Sequence, residues 1–124
     1  MAANVLERFE FRSVRANEAE EVAEIEKICF PPHEVCSKKD MFERVEHAPE
    51  LFLVAVDKET GTIAGFLNGL ATDEEAFRDE FFTDITVHNP EGKNIFLLGL
   101  DVRPEYRRQG LAREIMNQYV KREQ

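Results

Sequence analysis

One stretch near the C-terminal end limits the fold more than any other. Ile95-Phe96-Leu97-Leu98-Gly99-Leu100-Asp101-Val102 is nearly continuous apolar sequence, the pattern of a central strand covered on both faces. Pro104 stops that strand, because its ring fixes φ and removes a donor from the ladder. The turn Arg107-Arg108-Gln109-Gly110-Leu111-Ala112 follows, and Ala112, Ile115, Met116 and Tyr119 then mark the inner face of a final helix reaching Lys121. Strand, basic turn, glycine and helix in that order aim several backbone N–H groups and a helix N-terminus at one spot, and such a spot suits phosphate. Gly110 permits an unusual φ or a close approach, the small Ala112 leaves room beside the first helical turn, and Arg107 and Arg108 can add charge-assisted contacts. A solvated basic turn ahead of a helix has the same spacing, so the turn by itself leaves both readings open.

The rest of the chain supplies the layers such a strand needs. Phe9, Phe11 and Val14 within Glu7 to Arg15 suit a half-buried first strand. Asn17, with Glu20 three residues on, predicts the N-cap of a helix whose stripe is Val22, Ile25 and Ile28 and which ends before Pro31-Pro32. Ser37 predicts the next N-cap, with Asp40 favouring the helix dipole and Met41, Phe42 and Val45 on the buried face. Leu51 to Val56 and Thr62 to Leu67 read as an antiparallel pair joined through Gly61, which can supply a positive φ. Asp73 to Phe82 reads as a short helix, followed by an irregular loop through His88-Asn89-Pro90-Glu91-Gly92. The expected fold is α/β (α+β), a mixed, mostly antiparallel sheet flanked by helices in the order β-α-α-β-β-(short α)-β-α.

Composition excludes several function classes. A chain of 124 residues supports a single domain. A formal charge of -9 and the absence of a basic stripe, apart from Arg103 to Arg108, disfavour nucleic acid and favour a cationic small molecule. No apolar run approaches the roughly 18–20 residues of a membrane helix, and Met1 to Arg8 lacks a secretory pattern, so the expected location is cytoplasmic. There Cys29 and Cys36 are expected as reduced thiols. His33, His47 and His88 show no ligand spacing with them, so no metal site is expected.

Arg107-x-x-Gly110-x-Ala112 matches the signature of the GNAT superfamily of N-acetyltransferases, and Leu100 to Tyr106 looks like that family's fourth strand and its exit. The upstream order of elements is similar too, so the resemblance spans essentially the whole chain. Ile25-Glu26-Lys27-Ile28-Cys29-Phe30 with its Pro-containing sequel is similar to the serotonin, or arylalkylamine, N-acetyltransferase group. The resemblance implies acetyl-CoA as co-substrate. Backbone groups of Leu100 and Val102, flanking Asp101, would pair with the pantetheine arm, and amides of Arg107, Arg108, Gln109, Gly110, Leu111 and Ala112 would cradle the pyrophosphate. It further implies direct attack of a small primary amine, of arylalkylamine or polyamine type, on the thioester.

That chemistry needs a base for the ammonium, an N–H near Leu100 for the thioester carbonyl and an acid for the thiolate. The histidine pair that serves the serotonin acetyltransferases falls here on Phe96 and Leu98, so that base is absent. Glu34 is the replacement chosen from its loop placement, with Asp101, His33, Asp84 and His88 as alternatives. The family's terminal tyrosine lies beyond Gln124, and Tyr106 and Tyr119 are expected to pack rather than to serve as acid. Residues 1–124 are therefore expected to be one acetyltransferase domain, C-terminally incomplete, with a homodimer as another way to fill the gap. The competing function is a non-catalytic module that binds acyl-CoA or a partner.

Overall fold

The computed structural model describes residues 5–30, 37–73, 88, 89 and 91–123. In chain order the elements are α1 (Val5–Arg8), β1 (Phe9–Ser13), α2 (Ala19–Cys29), α3 (Lys38–His47), β2 (Phe52–Asp57), β3 (Ile63–Thr72), β4 (Asn94–Val102) and α4 (Leu111–Glu123). The strands form a four-stranded antiparallel sheet in the order β1-β2-β3-β4. This is the mixed architecture expected, with one addition: Glu7, assigned to the first strand, belongs to the short helix α1. The helix expected after Asp73 lies outside the described residues.

Alternation along β2 explains the two layers. Leu53 and Ala55 face a cluster that includes Leu67, Leu111, Ile115 and Tyr119, so α4 covers that side. Phe52, Val54 and Val56 face Val22, Ile25, Met41, Val45 and Phe66, so α2 and α3 cover the other. Every residue of β2 and β3 is buried.

The apolar run Ile95 to Val102 was expected to be a central strand, and among the described residues it ends the sheet. Among the described residues β4 has one ladder partner, β3, and Ile95 and Leu97 remain 39% and 42% exposed. The β3–β4 register passes from Asn68↔Gly99 to Gly69↔Leu97. Leu98 is therefore the extra residue of a β-bulge, which bends the strand.

The helix starts show which local signals prevailed. Ser37 caps α3 as expected, its Oγ accepting the Asp40 N–H at 3.1 Å. Asn17 does not cap α2. Glu18 takes two hydrogen bonds from the Arg12 guanidinium, at 2.8 and 2.6 Å, and accepts the Arg15 N–H at 2.8 Å. That bidentate pair holds residues 16–18 in a tight 3-10 turn and delays the α-helix to Ala19. Ile28 and Phe42, expected on buried stripes, are 46% and 39% exposed. The β2–β3 hairpin closes as expected at Gly61, whose φ is 75°.

Candidate active site

Where β4 ends, its backbone alternates between its neighbour and open space. The Arg103 N–H donates to Ala64 O of the β3 side at 2.8 Å. By the antiparallel alternation, Val102 and Leu100 then turn their N–H and C=O groups away from β3. On that outer side lies a groove of about 320 Å³, lined by Cys29, Phe30, Leu100, Asp101, Val102, Arg107 and Ala112. The end of α2 supplies Cys29 and Phe30, and the first turn of α4 supplies Ala112. The Val102 carbonyl accepts from the Cys29 thiol at 3.3 Å and from Arg107 Nε at 3.0 Å.

The turn between strand and helix is built by backbone conformation. Arg108 and Gly110 both have positive φ, 65° and 80°, so the chain curls twice within three residues. A Cβ at position 110 would meet no atom within 4 Å; the glycine is there for its φ, not for space. The first α-helical bond runs from the Glu114 N–H to Gly110 O, which leaves the N–H groups of Leu111, Ala112 and Arg113 outside the helix ladder. Leu111 fixes this start by burying its side chain in the core. The Gln109 side chain is taken up locally, accepting from Arg8 at 3.0 Å. Such a start, with an arginine on either side, concentrates positive potential at the groove's end.

A buried polar cluster stands against the inner wall. Glu26, Arg44, Asn68 and Asp101 are all buried, and Arg44 Nη1 donates to Asn68 Oδ1 at 3.0 Å. Neither oxygen of Asp101, a residue 1% exposed, meets a hydrogen-bond donor. Burial, and contact with the carboxyl of Glu26, push its pKa up to about 9 from 3.8, against the opposing pull of Arg44 and Arg107. Asp101 is thus a carboxylic acid at neutral pH. The Cys29 thiol is pushed up as well, by burial first and then by Asp101, which keeps it out of the nucleophilic thiolate form.

The structure therefore brings Leu100, Asp101, Val102, Arg107 and Ala112 to one groove, with Arg108, Gln109, Gly110 and Leu111 forming the turn beside it. Asp101, an alternative base in the sequence reading, is protonated at neutral pH and so cannot take a proton there. His88 is also unsuited: its Nδ1 accepts the Ala71 N–H at 3.0 Å, so the ring proton is on Nε2, 2.7 Å from Glu50. With both nitrogens engaged it ties the end of β3 to its surroundings. Tyr106 donates to Asp57 at 2.8 Å and Tyr119 to Leu51 O at 3.0 Å, both buried, which is the packing role expected of them. Glu34, His33 and Asp84 lie outside the described residues.

Sequence reasoning passed over Cys29, which lines the groove, and Glu26, which is buried on the same helix face. The signal was present: Val22, Ile25, Glu26 and Cys29 follow the i, i+3, i+4, i+7 spacing of the inner face of α2, which places a carboxylate on a buried stripe. Among the described residues no group of three or more His, Cys, Asp or Glu side chains could hold a metal ion, and no helix is long and apolar enough to cross a membrane.

Comparison with known proteins bears on this geometry. Residues 19–123 match the family model described as Acetyltransferase (GNAT) family. The sequence is 28% identical over 121 residues to "Probable hydrolase YhcX" of Bacillus subtilis (strain 168), an alignment covering 89% of this chain and 23% of that protein. Among solved structures, the loading GNATL domain of CurA from Lyngbya majuscula superposes with a TM-score of 0.81 at 14% identity, over 91% of this chain and 57% of that one. The GphF GNAT-like decarboxylase, solved with isobutyryl-CoA, gives 0.80 at 20% identity, over 91% and 58%. YhbS from Escherichia coli, solved with CoA, gives 0.64 at 20% identity, over 92% and 55%. The chain thus spans less than a quarter of that Bacillus relative and a little over half of these structures, with which it shares the fold.

Proposed function

The chain belongs to the acetyltransferase (GNAT) family, and we propose on that premise that its groove binds acetyl-CoA and serves transfer of the acetyl group to a small primary amine. The observation that carries this reading is the continuity of the groove: outward backbone groups at Leu100 and Val102 lead directly to a helix start whose N–H groups are outside the ladder. A pantetheine arm is a chain of amides that can pair with a strand edge, and a pyrophosphate suits a helix N-terminus. The CoA and isobutyryl-CoA in two of the superposed structures support the same ligand class. As the arm pairs with Val102, its carbonyl exchanges the Arg107 Nε for a ligand N–H, and Arg107 becomes available to the pyrophosphate.

In the transfer, the acceptor nitrogen attacks the thioester carbon, the oxyanion is stabilised by the N–H near Leu100, and the thiolate leaves. The net charge of -9 favours an acceptor that arrives as an ammonium. Arylalkylamines and polyamines both fit, the former supported by the likeness of Ile25 to Phe30 to the serotonin acetyltransferase group. Glu34, in the segment that follows α2, is the candidate for removing the ammonium proton.

A second reading is an acyl-CoA-binding domain that transfers nothing to an amine. It is favoured by the fact that Asp101 and His88, the candidate bases among the described residues, are respectively protonated and fully engaged. The two are separated by following thiol release from acetyl-CoA in the presence of tryptamine or spermidine. Amine-dependent release that Glu34→Gln slows at least tenfold supports transfer with that base. Binding of acetyl-CoA without amine-dependent release supports the second reading.

A further inference from the structure

The carbonyl that a pantetheine arm would use already has partners within the protein. Val102 C=O turns away from β3 and accepts two donors, Arg107 Nε at 3.0 Å and the Cys29 thiol at 3.3 Å. A carbonyl oxygen has two lone pairs, so an incoming N–H has to displace one of these donors. The thiol belongs to the packed helix α2 and meets the carbonyl from the inner wall. The guanidinium meets it from a side chain that is exposed, the side by which a ligand arrives. Arg107 also has an anchored backbone, its N–H donating to Pro104 O at 3.2 Å. Its side chain can therefore change partner by rotamer alone. Arg107 and the first turn of α4, at Ala112, line the same groove, so a pyrophosphate held at that helix start lies within reach of the guanidinium.

We propose that Arg107 is a latch on the strand edge that a pyrophosphate opens, so that the groove selects CoA thioesters over pantetheine thioesters lacking that group. The inference rests on the acyl-CoA reading above and deepens it, by making Arg107 a specificity-determining residue and not only a source of positive charge. For a CoA thioester, the bond from Arg107 to the Val102 carbonyl is exchanged for one to phosphate, which is charge-assisted on both sides and open to bidentate geometry. The exchange costs little, and the freed carbonyl is ready for an amide N–H of the arm. A pantetheine thioester without pyrophosphate breaks the same bond and offers the guanidinium nothing in return. It binds only the fraction of molecules in which the latch is open, and its apparent affinity falls by that fraction. Phosphate binding and arm binding are thereby coupled through one side chain, and the coupling is reciprocal.

The test compares the wild type with Arg107→Ala, using calorimetry for acetyl-CoA and an NMR titration, which reads millimolar affinities, for S-acetylpantetheine. The two ligands are expected to respond in opposite directions. Arg107→Ala binds acetyl-CoA about tenfold more weakly, because the phosphate contact is lost. The same variant binds S-acetylpantetheine at least about threefold more tightly, because the latch is lost. An arginine that only attracts phosphate gives no such gain. A folded variant that binds S-acetylpantetheine no better than the wild type overturns the latch, and acetyl-CoA binding by the wild type then leaves the acyl-CoA reading in place. Failure of S-acetylpantetheine to bind either protein overturns the latch too, since opening the edge is then not enough to admit the arm. A folded wild type that does not bind acetyl-CoA overturns the reading and the latch with it. Circular dichroism confirms folding. If Arg107→Ala does not fold, inorganic pyrophosphate added to the wild type makes the same test: it is expected to tighten S-acetylpantetheine binding by drawing Arg107 off Val102, and no change, or competition, overturns the proposal.

Discussion

Asp101 is the residue at which electrostatics and folding meet most directly. A carboxyl whose pKa rises on folding binds a proton in the native state over a pH range where the unfolded chain has lost it. Its contribution to stability is therefore complete below the unfolded value of 3.8 and is lost progressively as pH rises toward about 9. Asp101→Asn removes this dependence, so its melting temperature relative to wild type is expected to climb from pH 5 to pH 9; an offset that stays constant would contradict the assignment. Glu18 works in the opposite sense. The Arg12 hydrogen bonds hold its pKa below the ordinary range, so its stabilisation is present at neutral pH and lost as pH falls through that depressed value. Glu18→Gln is accordingly expected to lower the melting temperature at pH 7 and to converge on wild type in acid. At this scale the sequence was readable for residues whose backbone role dictates their type, Gly110 and Ser37 among them. It offered Asp101 as a cofactor-site residue and an alternative base but not as a buried, protonated carboxyl, because whether a β4 side chain faces α2 or solvent depends on the bulge at Leu98, which leaves no signature in composition.

At the scale of elements, local chemistry predicts helix starts only when no tertiary partner intervenes. Ser37 had none, and Ser37→Ala is expected to cost about 1 kcal/mol in a denaturant titration. Asn17 lost its predicted place because Glu18 is paired with Arg12 on β1, a contact between segments that spacing within the helix cannot reveal. The β3–β4 pair depends on close backbone approach at Gly65, where a Cβ would stand 2.5 Å from Asp101 O and 3.2 Å from Ile115 Cδ1. Because the first of these atoms is backbone, Gly65→Ala cannot be relieved by a rotamer change. It is expected to destabilise by about 3 kcal/mol and to weaken acetyl-CoA binding through the displaced end of β4. Wild-type stability in that variant would mean that β3 and β4 are more loosely joined than this register indicates.

For the molecule as a whole, the order of the described elements was legible because period-2 and period-3.6 patterns alternate along them. The position of β4 within the sheet was not. Continuous apolarity reports that the faces of a strand meet cover, but it carries no information on how many ladder partners that strand has, and β4 has one among the described residues. Among the described residues the outward Leu100 and Val102 groups face the groove rather than another strand, which leaves them open to a ligand that pairs like a strand. Overall charge sets the remaining constraint: a chain at -9 must attract an anionic cofactor by local rather than global potential, which concentrates the task on the turn from Arg107 to Ala112. The central claim is therefore tested most directly by calorimetric titration of this chain with acetyl-CoA, beside a variant carrying Arg107→Ala and Gly110→Trp. Saturable binding by the wild type, lost in a variant that remains folded, is the predicted result. A folded wild type that does not bind, or a folded variant that binds as well as the wild type, would contradict it.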